Sequence, residues 1–322
     1  MLETLLRDGH IARLLHAGAR LHQAGCNGCI GMGQAPASGR NSLRTVPRNF
    51  PGRSGTREDS VFLCSPETAA ASALTGLITD PRTLDIPYPR VPPPDEPVLN
   101  STMLVPPVPE KERHRARLER GPGIVSLPEL EPIPDEIDLS ILLKMGDDVS
   151  TDEILPGGTR GMAYWSKVEK MSEVAFDGID PTYPQRAAAV RDLGGHAVVG
   201  GRNYGQGSSR DQAALAPRYL GLRLVLAKRF ARIHWENLVN FRVLPLTFVD
   251  DGAYDAVEVD DVLVLESIHD GLRTGAELTV RNRTKGAPFQ VRHDLSRRQL
   301  ELLLEGGVIH WNRRRARNSP AR

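Results

Sequence analysis

Three thiols and one serine are the residues of this 322-residue chain whose placement could do chemistry. Cys26 and Cys29 are spaced C-x-x-C. In a reducing compartment that spacing points to a metal, a cluster or a redox pair rather than to a disulfide framework, and zinc knuckles and thioredoxin-like pairs share it. Cys64 stands alone before Ser65-Pro66 and is expected to be a buried, inert thiol. Ser208 sits in Asn203-Tyr204-Gly205-Gln206-Gly207-Ser208-Ser209-Arg210, after an apolar run and two glycines. If a helix begins there, its first backbone N–H groups could hold negative charge near the serine oxygen, as an alkoxide acting as a base requires. The same position also suits an ordinary helix cap. His10, His16 and His22 step by six residues, which spreads them around a helix rather than along one face, so they are expected to be solvated.

These groups need elements to carry them. Leu5, Leu6, Ile11, Leu14, Leu15 and Leu21 recur at roughly helical spacing, so the chain is expected to open with an amphipathic helix running into the cysteine loop. Residues 31–56 read as loop with a short strand around 43–46. Ser65-Pro66-Glu67 caps an Ala-rich, buried helix that Gly76 stops. Between 81 and 134 lie 14 of the chain's 25 prolines, the mark of an extended linker. Beyond it, apolar runs at 141–144, 197–200, 222–227 and 244–248 alternate with helices over 208–220 and 230–241. That alternation predicts an α/β domain. Runs at 262–265, 277–281 and 289–292 add β character, and 297–304 is expected to be helical before a basic tail at 313–317.

Composition narrows the partners. Lys+Arg 41 against Asp+Glu 40 gives a net charge of +1, so no global field draws the chain to nucleic acid or to an anionic membrane. No apolar run approaches the roughly 20 residues that cross a bilayer. The first 25 residues lack the apolar stretch of a secretion signal, which leaves the cytoplasm as the expected location.

The segment Cys26-Asn27-Gly28-Cys29-Ile30-Gly31-Met32-Gly33-Gln34, then Arg48-Asn49-Phe50-Pro51-Gly52-Arg53, then Ser65-Pro66-Glu67-Thr68-Ala69-Ala70-Ala71, resembles the third domain of the aconitase family in order and spacing. Independently, Asp148-Val149-Ser150-Thr151-Asp152-Glu153-Ile154-Leu155-Pro156, the later Gly207-Ser208-Ser209-Arg210, and Phe230-Ala231-Arg232-Ile233-His234 resemble the family's swivelling domain. The resemblance implies an α/β chain made of the end of the cluster-binding domain (1–86), a Pro-rich linker (87–134) and a swivelling β/β/α-type domain (135–322). It implies a [4Fe–4S] cluster held partly by Cys26 and Cys29, Ser208 as the base, and Asp152 as an acid beside the substrate. Arg48, Arg53, Arg160, Ser209 and Arg210 would bind a tricarboxylate, whose charges need paired guanidinium groups in a partly dry site. An arginine at 160 suits citrate's extra carboxylate, so aconitate hydratase is expected ahead of an isopropylmalate or homoaconitate hydro-lyase. His234 lies in a matched segment and is read as structural.

The sequence departs from the family pattern in ways that matter. The third cluster thiolate is absent from this chain, so the aconitase N-terminal domains, in cis or in trans, are the expected partners and the chain alone is expected to be an inactive fragment. Pro47 replaces an asparagine, Asn27-Gly28 replaces Gly-Pro or Thr-Pro, and Asp211-Gln212 replaces Glu-His. A non-catalytic remnant and an RNA-binding apo protein are the other readings; the near-neutral charge weighs against RNA.

Overall fold

The structure is a computed structural model and describes residues 1–22, 25, 28, 35–46, 60–117, 119–121, 124–127, 129–156 and 164–318. The chain divides into two compact units, Met1–Ala116 and Arg117–Arg322.

In the first unit the expected opening helix is two, α1 (Leu2–Arg7) and α2 (His10–His16). Gly9 separates them with φ 78, a left-handed turn that no helix interior accommodates. Leu5, Leu6, Leu14 and Leu15 are exposed, as are His10, His16 and His22. β1 (Asn41–Arg44) pairs in parallel with β2 (Ser60–Leu63). The helix α3 (Pro66–Thr75) starts and stops as its sequence requires: Ser65 accepts from the Thr68 N–H at 3.1 Å, and Gly76 closes it at φ 76. It is not the buried helix expected, since Ala71 and Ser72 are its buried residues and Leu74 is 71% exposed. Pro-rich backbone returns to α1, where Val98 N donates to Thr4 Oγ1 at 3.0 Å and Arg7 donates to the Glu96 carbonyl at 2.8 Å.

The second unit is α/β, as expected. Its strands are β3 (Ile137–Lys144), β4 (His196–Gly200), β5 (Leu222–Ala227), β6 (Leu244–Phe248), β7 (Val262–Leu265), β8 (Glu277–Asn282) and β9 (Ala287–Arg292), closed into a barrel in the order β3-β4-β5-β6-β9-β8-β7. The first four are mutually parallel; β7, β8 and β9 complete the circle antiparallel. The parallel strands are joined by α4 (Thr151–Ile154), α5 (Val168–Ser172), α6 (Tyr183–Arg191), α7 (Gln212–Tyr219) and α8 (Arg232–Asn240). After β6 come α9 (Gly252–Ala256), α10 (Ile268–Thr274), α11 (Arg297–Leu304) and α12 (Gly307–Asn318).

Successive residues of a strand point to opposite faces, and β4 and β5 are buried on both. Ala197, Val199, Leu224 and Leu226 belong to one core, while Val198 and Val225 belong to a second core beside Ala213, Ala214 and Leu238 of α7 and α8. Burial on both sides explains why these strands read as continuous apolar runs. β8 is covered on one face and alternates exposed with buried. No helix among the described residues is long and apolar enough to cross a membrane.

Candidate active site

Parallel strands deliver their following loops to one end of the barrel. The loop after β3 ends in α4, where Ser150 accepts from Glu153 N and the Glu153 carboxylate accepts from Ser150 N, a reciprocal cap. The loop after β4 runs from Gly201 to Arg210 and lies against it. Gly205 N and Gln206 N both donate to the Val149 carbonyl, at 2.8 and 3.1 Å, and Thr151 N donates back to the Gln206 carbonyl at 2.7 Å. Asp148 Oδ1 accepts from Asn203 Nδ2 at 2.8 Å.

Within this double loop the expected residues Asp152, Ser208, Ser209 and Arg210 come together. Arg210 Nη1 donates to Asp152 Oδ1 at 2.5 Å and to the Leu155 carbonyl at 3.2 Å. The Arg210 side chain is 12% exposed and Asp152 44%, so the pair has a dry end and a wet end. Both contacts to described residues use Nη1, and Nε with Nη2 forms a fork of the shape that takes a carboxylate. Asp152 is not a helix cap; Ser150 fills that role. Ser208 is half-buried and its carbonyl accepts from Thr151 Oγ1 at 3.1 Å, while Ser209 is exposed.

One expectation fails. Ser208 does not open a helix: α7 begins at Gln212, and its cap is Asp211, whose side chain accepts from Gln212 N at 3.0 Å. Gly205 and Gly207 have φ of 80 and 106, and the bridge between Ser150 and Gln206 holds the loop extended past the serine. The nearest positive group in sequence to act on Ser208 is therefore Arg210 rather than the first N–H groups of a helix.

An aromatic wall supports the loop from behind. Tyr204, 1% exposed, packs edge-on to Phe230 with centroids 5.9 Å apart and tilts against His234 at 5.5 Å. A Cβ on Gly205 would lie 2.3 Å from the His234 ring, so imidazole and glycine backbone are in closest packing. His234 is 1% exposed, and burial drives its pKa down to about 4, so the ring is neutral at pH 7. Its role as a structural histidine follows from that packing. Thr151 carries no signal of its own in the sequence; only the loop pairing shows that its hydroxyl ties β3's loop to the serine.

Cys26, Cys29, Arg48, Arg53 and Arg160 lie outside the described residues. Cys64 is half-buried rather than buried, with Sγ 3.9 Å from the Arg44 carbonyl. Among the described residues no group of three or more His, Cys, Asp or Glu could hold a metal ion. The chain's cysteines number three, and with Cys64 on a backbone carbonyl the donor set stops at one C-x-x-C pair. That set does not complete a three-thiolate cluster site.

Residues 1–76 match the family model described as "Aconitase family (aconitate hydratase)", and residues 166–251 match "Aconitase C-terminal domain". The chain belongs to the aconitase family. Iron–sulfur chemistry is general to that family. A relative in Emericella nidulans, described as "Putative aconitate hydratase, mitochondrial", is 33% identical over 95% of this chain and 44% of its own length. The homocitrate dehydratase of Saccharomyces cerevisiae is 28% identical over 96% of this chain and 45% of its own length. The homoaconitase of Yarrowia lipolytica is 34% identical over 72% of this chain and 32% of its own length. The chain thus spans less than half the length of these relatives. A crystal structure of 3-isopropylmalate dehydratase from Methanocaldococcus jannaschii is similar at 26% identity and a TM-score of 0.47, covering 57% of this chain and 96% of that one.

The cytoplasmic expectation is corrected by these aconitase-family relatives, which are described as mitochondrial. It rested on the lack of an apolar secretion signal, and mitochondrial addresses are amphipathic and basic instead, so that test was blind to them.

Proposed function

We propose that this chain carries the base and part of the tricarboxylate grip of an aconitate hydratase, a hydro-lyase that moves a hydroxyl between adjacent carbons by removing and returning water. Ser208 Oγ, as an alkoxide, takes the proton from the carbon next to a carboxylate. The hydroxyl on the neighbouring carbon departs with its bonding electrons, and a double bond forms between the two carbons. Arg210 holds a substrate carboxylate with Nε and Nη2 while Asp152 fixes its Nη1. Thr151 positions the Ser208 peptide.

Arg48, Arg53 and Arg160 complete the grip in this reading, with Arg160 selecting citrate over a substrate bearing an apolar group. Cys26 and Cys29 supply two thiolates, and the third comes from aconitase N-terminal domains in cis or in trans. Residues 1–86, 87–134 and 135–322 are then the end of the cluster domain, the linker and the swivelling domain. The observation that carries the reading is the Arg210–Asp152 pair beside the Thr151–Ser208 contact on one double loop.

The test is complementation. The chain is mixed with the N-terminal portion of the Emericella relative, reconstituted with iron and sulfide, and assayed on citrate, homocitrate and isopropylmalate. Citrate turnover that Ser208→Ala reduces by at least about a thousandfold, the order expected of a lost base, is the expected result. Turnover of isopropylmalate with citrate untouched would overturn the substrate assignment, and turnover that survives Ser208→Ala would overturn the base.

A further inference from the structure

The end of the barrel away from Ser208 holds a second concentration of positive charge. Because β4, β5 and β6 are parallel, residues that precede β5 and β6 lie at the opposite end from the loops that follow β3 and β4. Arg218 ends α7 one turn before β5, Arg223 is the second residue of β5, and Arg242 precedes β6. Arg218 and Arg242 are 4% and 2% exposed, and the Arg223 side chain 12%.

Their counter-charges are few and wet. Arg218 Nη2 donates to the Glu131 backbone carbonyl at 3.0 Å, and Arg223 Nη2 reaches the Glu131 carboxylate at 3.3 Å. Arg218 Nε, Arg223 Nη1 and Arg242 Nη1 are buried without a hydrogen-bond partner among the described residues. The side chains of the nearby acids, Glu129 and Glu131, are 86% and 82% exposed. Burial, reinforced by the neighbouring guanidinium groups, lowers Arg218 to about 9 and Arg242 to about 10. Arg242 also holds a left-handed φ of 65, a strained conformation for a residue that bears a side chain.

A cavity of about 500 Å³ opens beside Arg242, walled also by Arg120, Arg313 and Glu129 and by Leu215, Phe241 and Ile309, while Arg218 and Arg223 line a neighbouring one. A buried guanidinium with an N–H that no described residue accepts carries a desolvation cost, and an oxyanion is the ligand whose geometry the Arg242 fork matches. We infer that this cavity is a binding site for a small organic anion, with its phosphate or carboxylate head on Arg242 and the mouth arginines Arg120 and Arg313, and its apolar body against Leu215, Phe241 and Ile309. Strands of five or six residues put it roughly 15–20 Å from the Ser208 loop, so it is not the proposed substrate grip.

The full chain is titrated calorimetrically with phenyl phosphate, benzoate and inorganic phosphate. Saturable binding of phenyl phosphate or benzoate is expected, at least tenfold tighter than inorganic phosphate; whichever of the two binds tighter assigns the head group. Arg242→Met weakens that binding tenfold or more, and so does the double change Arg120→Ala with Arg313→Ala, whose exposed side chains can be removed if Arg242→Met does not fold. Arg210→Ala leaves it unchanged. No saturable binding by either aromatic anion overturns the inference, as does binding abolished by Arg210→Ala and indifferent to the other variants.

Discussion

Arg210 and Asp152 are 58 residues apart in sequence and 2.5 Å apart in space, joined because one ends the loop after β4 and the other sits in the short helix after β3. The pair locks one face of the guanidinium and offers the other. Asp152→Asn is expected to loosen that orientation. A charge-assisted hydrogen bond contributes roughly 1.5–3 kcal/mol, so kcat/KM of the reconstituted enzyme should fall about tenfold to a hundredfold. Unchanged kinetics in the variant would mean that Arg210 needs no carboxylate to hold it.

Gly205 lies within the same loop with φ 80 and no room for a Cβ. Gly205→Ala combines backbone strain with a collision against His234 and is expected to destabilise the chain by at least about 2 kcal/mol, read as a lower urea midpoint. Adding His234→Ala restores space but not the dihedral, so the double variant should recover part of the loss. A full recovery, or no initial loss, contradicts the packing described.

Acid should unfold this protein through its buried histidines. Burial holds His234 near 4, and burial with the Arg186 charge holds His196 near 3. The unfolded chain takes up protons near pH 6.5 and the folded chain does not, so the unfolded state binds more protons between these values. Stability is therefore fully present above about pH 6.5 and declines as pH falls toward about 4, by up to roughly 1.4 kcal/mol per pH unit for each histidine. Urea titrations at stepped pH read the slope, and His234→Phe should remove its share. A flat profile over that range would place both rings in contact with solvent.

The chain by itself should show no hydratase turnover and no stable cubane absorbance after iron and sulfide are supplied, because its thiols stop at one C-x-x-C pair and Cys64. Ultraviolet assay of cis-aconitate formation and visible spectra check both. Robust turnover by the isolated chain would show that the aconitase N-terminal domains are not needed for the reaction.

Three strands of the second unit were legible residue by residue, while the first half of β3, Ile137 to Ser140, was not. The runs at 222–227, 244–248 and 262–265 coincide with β5, β6 and β7, since burial on one or both faces writes itself directly into apolar spacing. The start of α7 was not legible. Gly-x-Gly-Ser-Ser fits a strand-to-helix turn as well as a loop, and what decides is pairing with Val149, more than fifty residues earlier. Closure of the barrel was hidden for a similar reason: β3 meets β7 across some 120 residues, and no local pattern records that partnership. The Arg210–Asp152 pair could be suspected from motifs, whereas the wedge of His234 under Gly205 exists only in three dimensions. Arg242 gave no signal either, because an arginine in sequence looks solvated until its neighbours enclose it.

A sheet rolled shut has no rim of idle amides. β3 is flanked by β4 and β7, and β6 by β5 and β9, so every strand of the second unit already has two neighbours. Any polypeptide that docks on this unit must do so mainly by gripping loops and side chains, because no strand of the barrel is an open edge along its length. The same closure shields the seven strands from templating fibres, whether or not a companion chain is at hand.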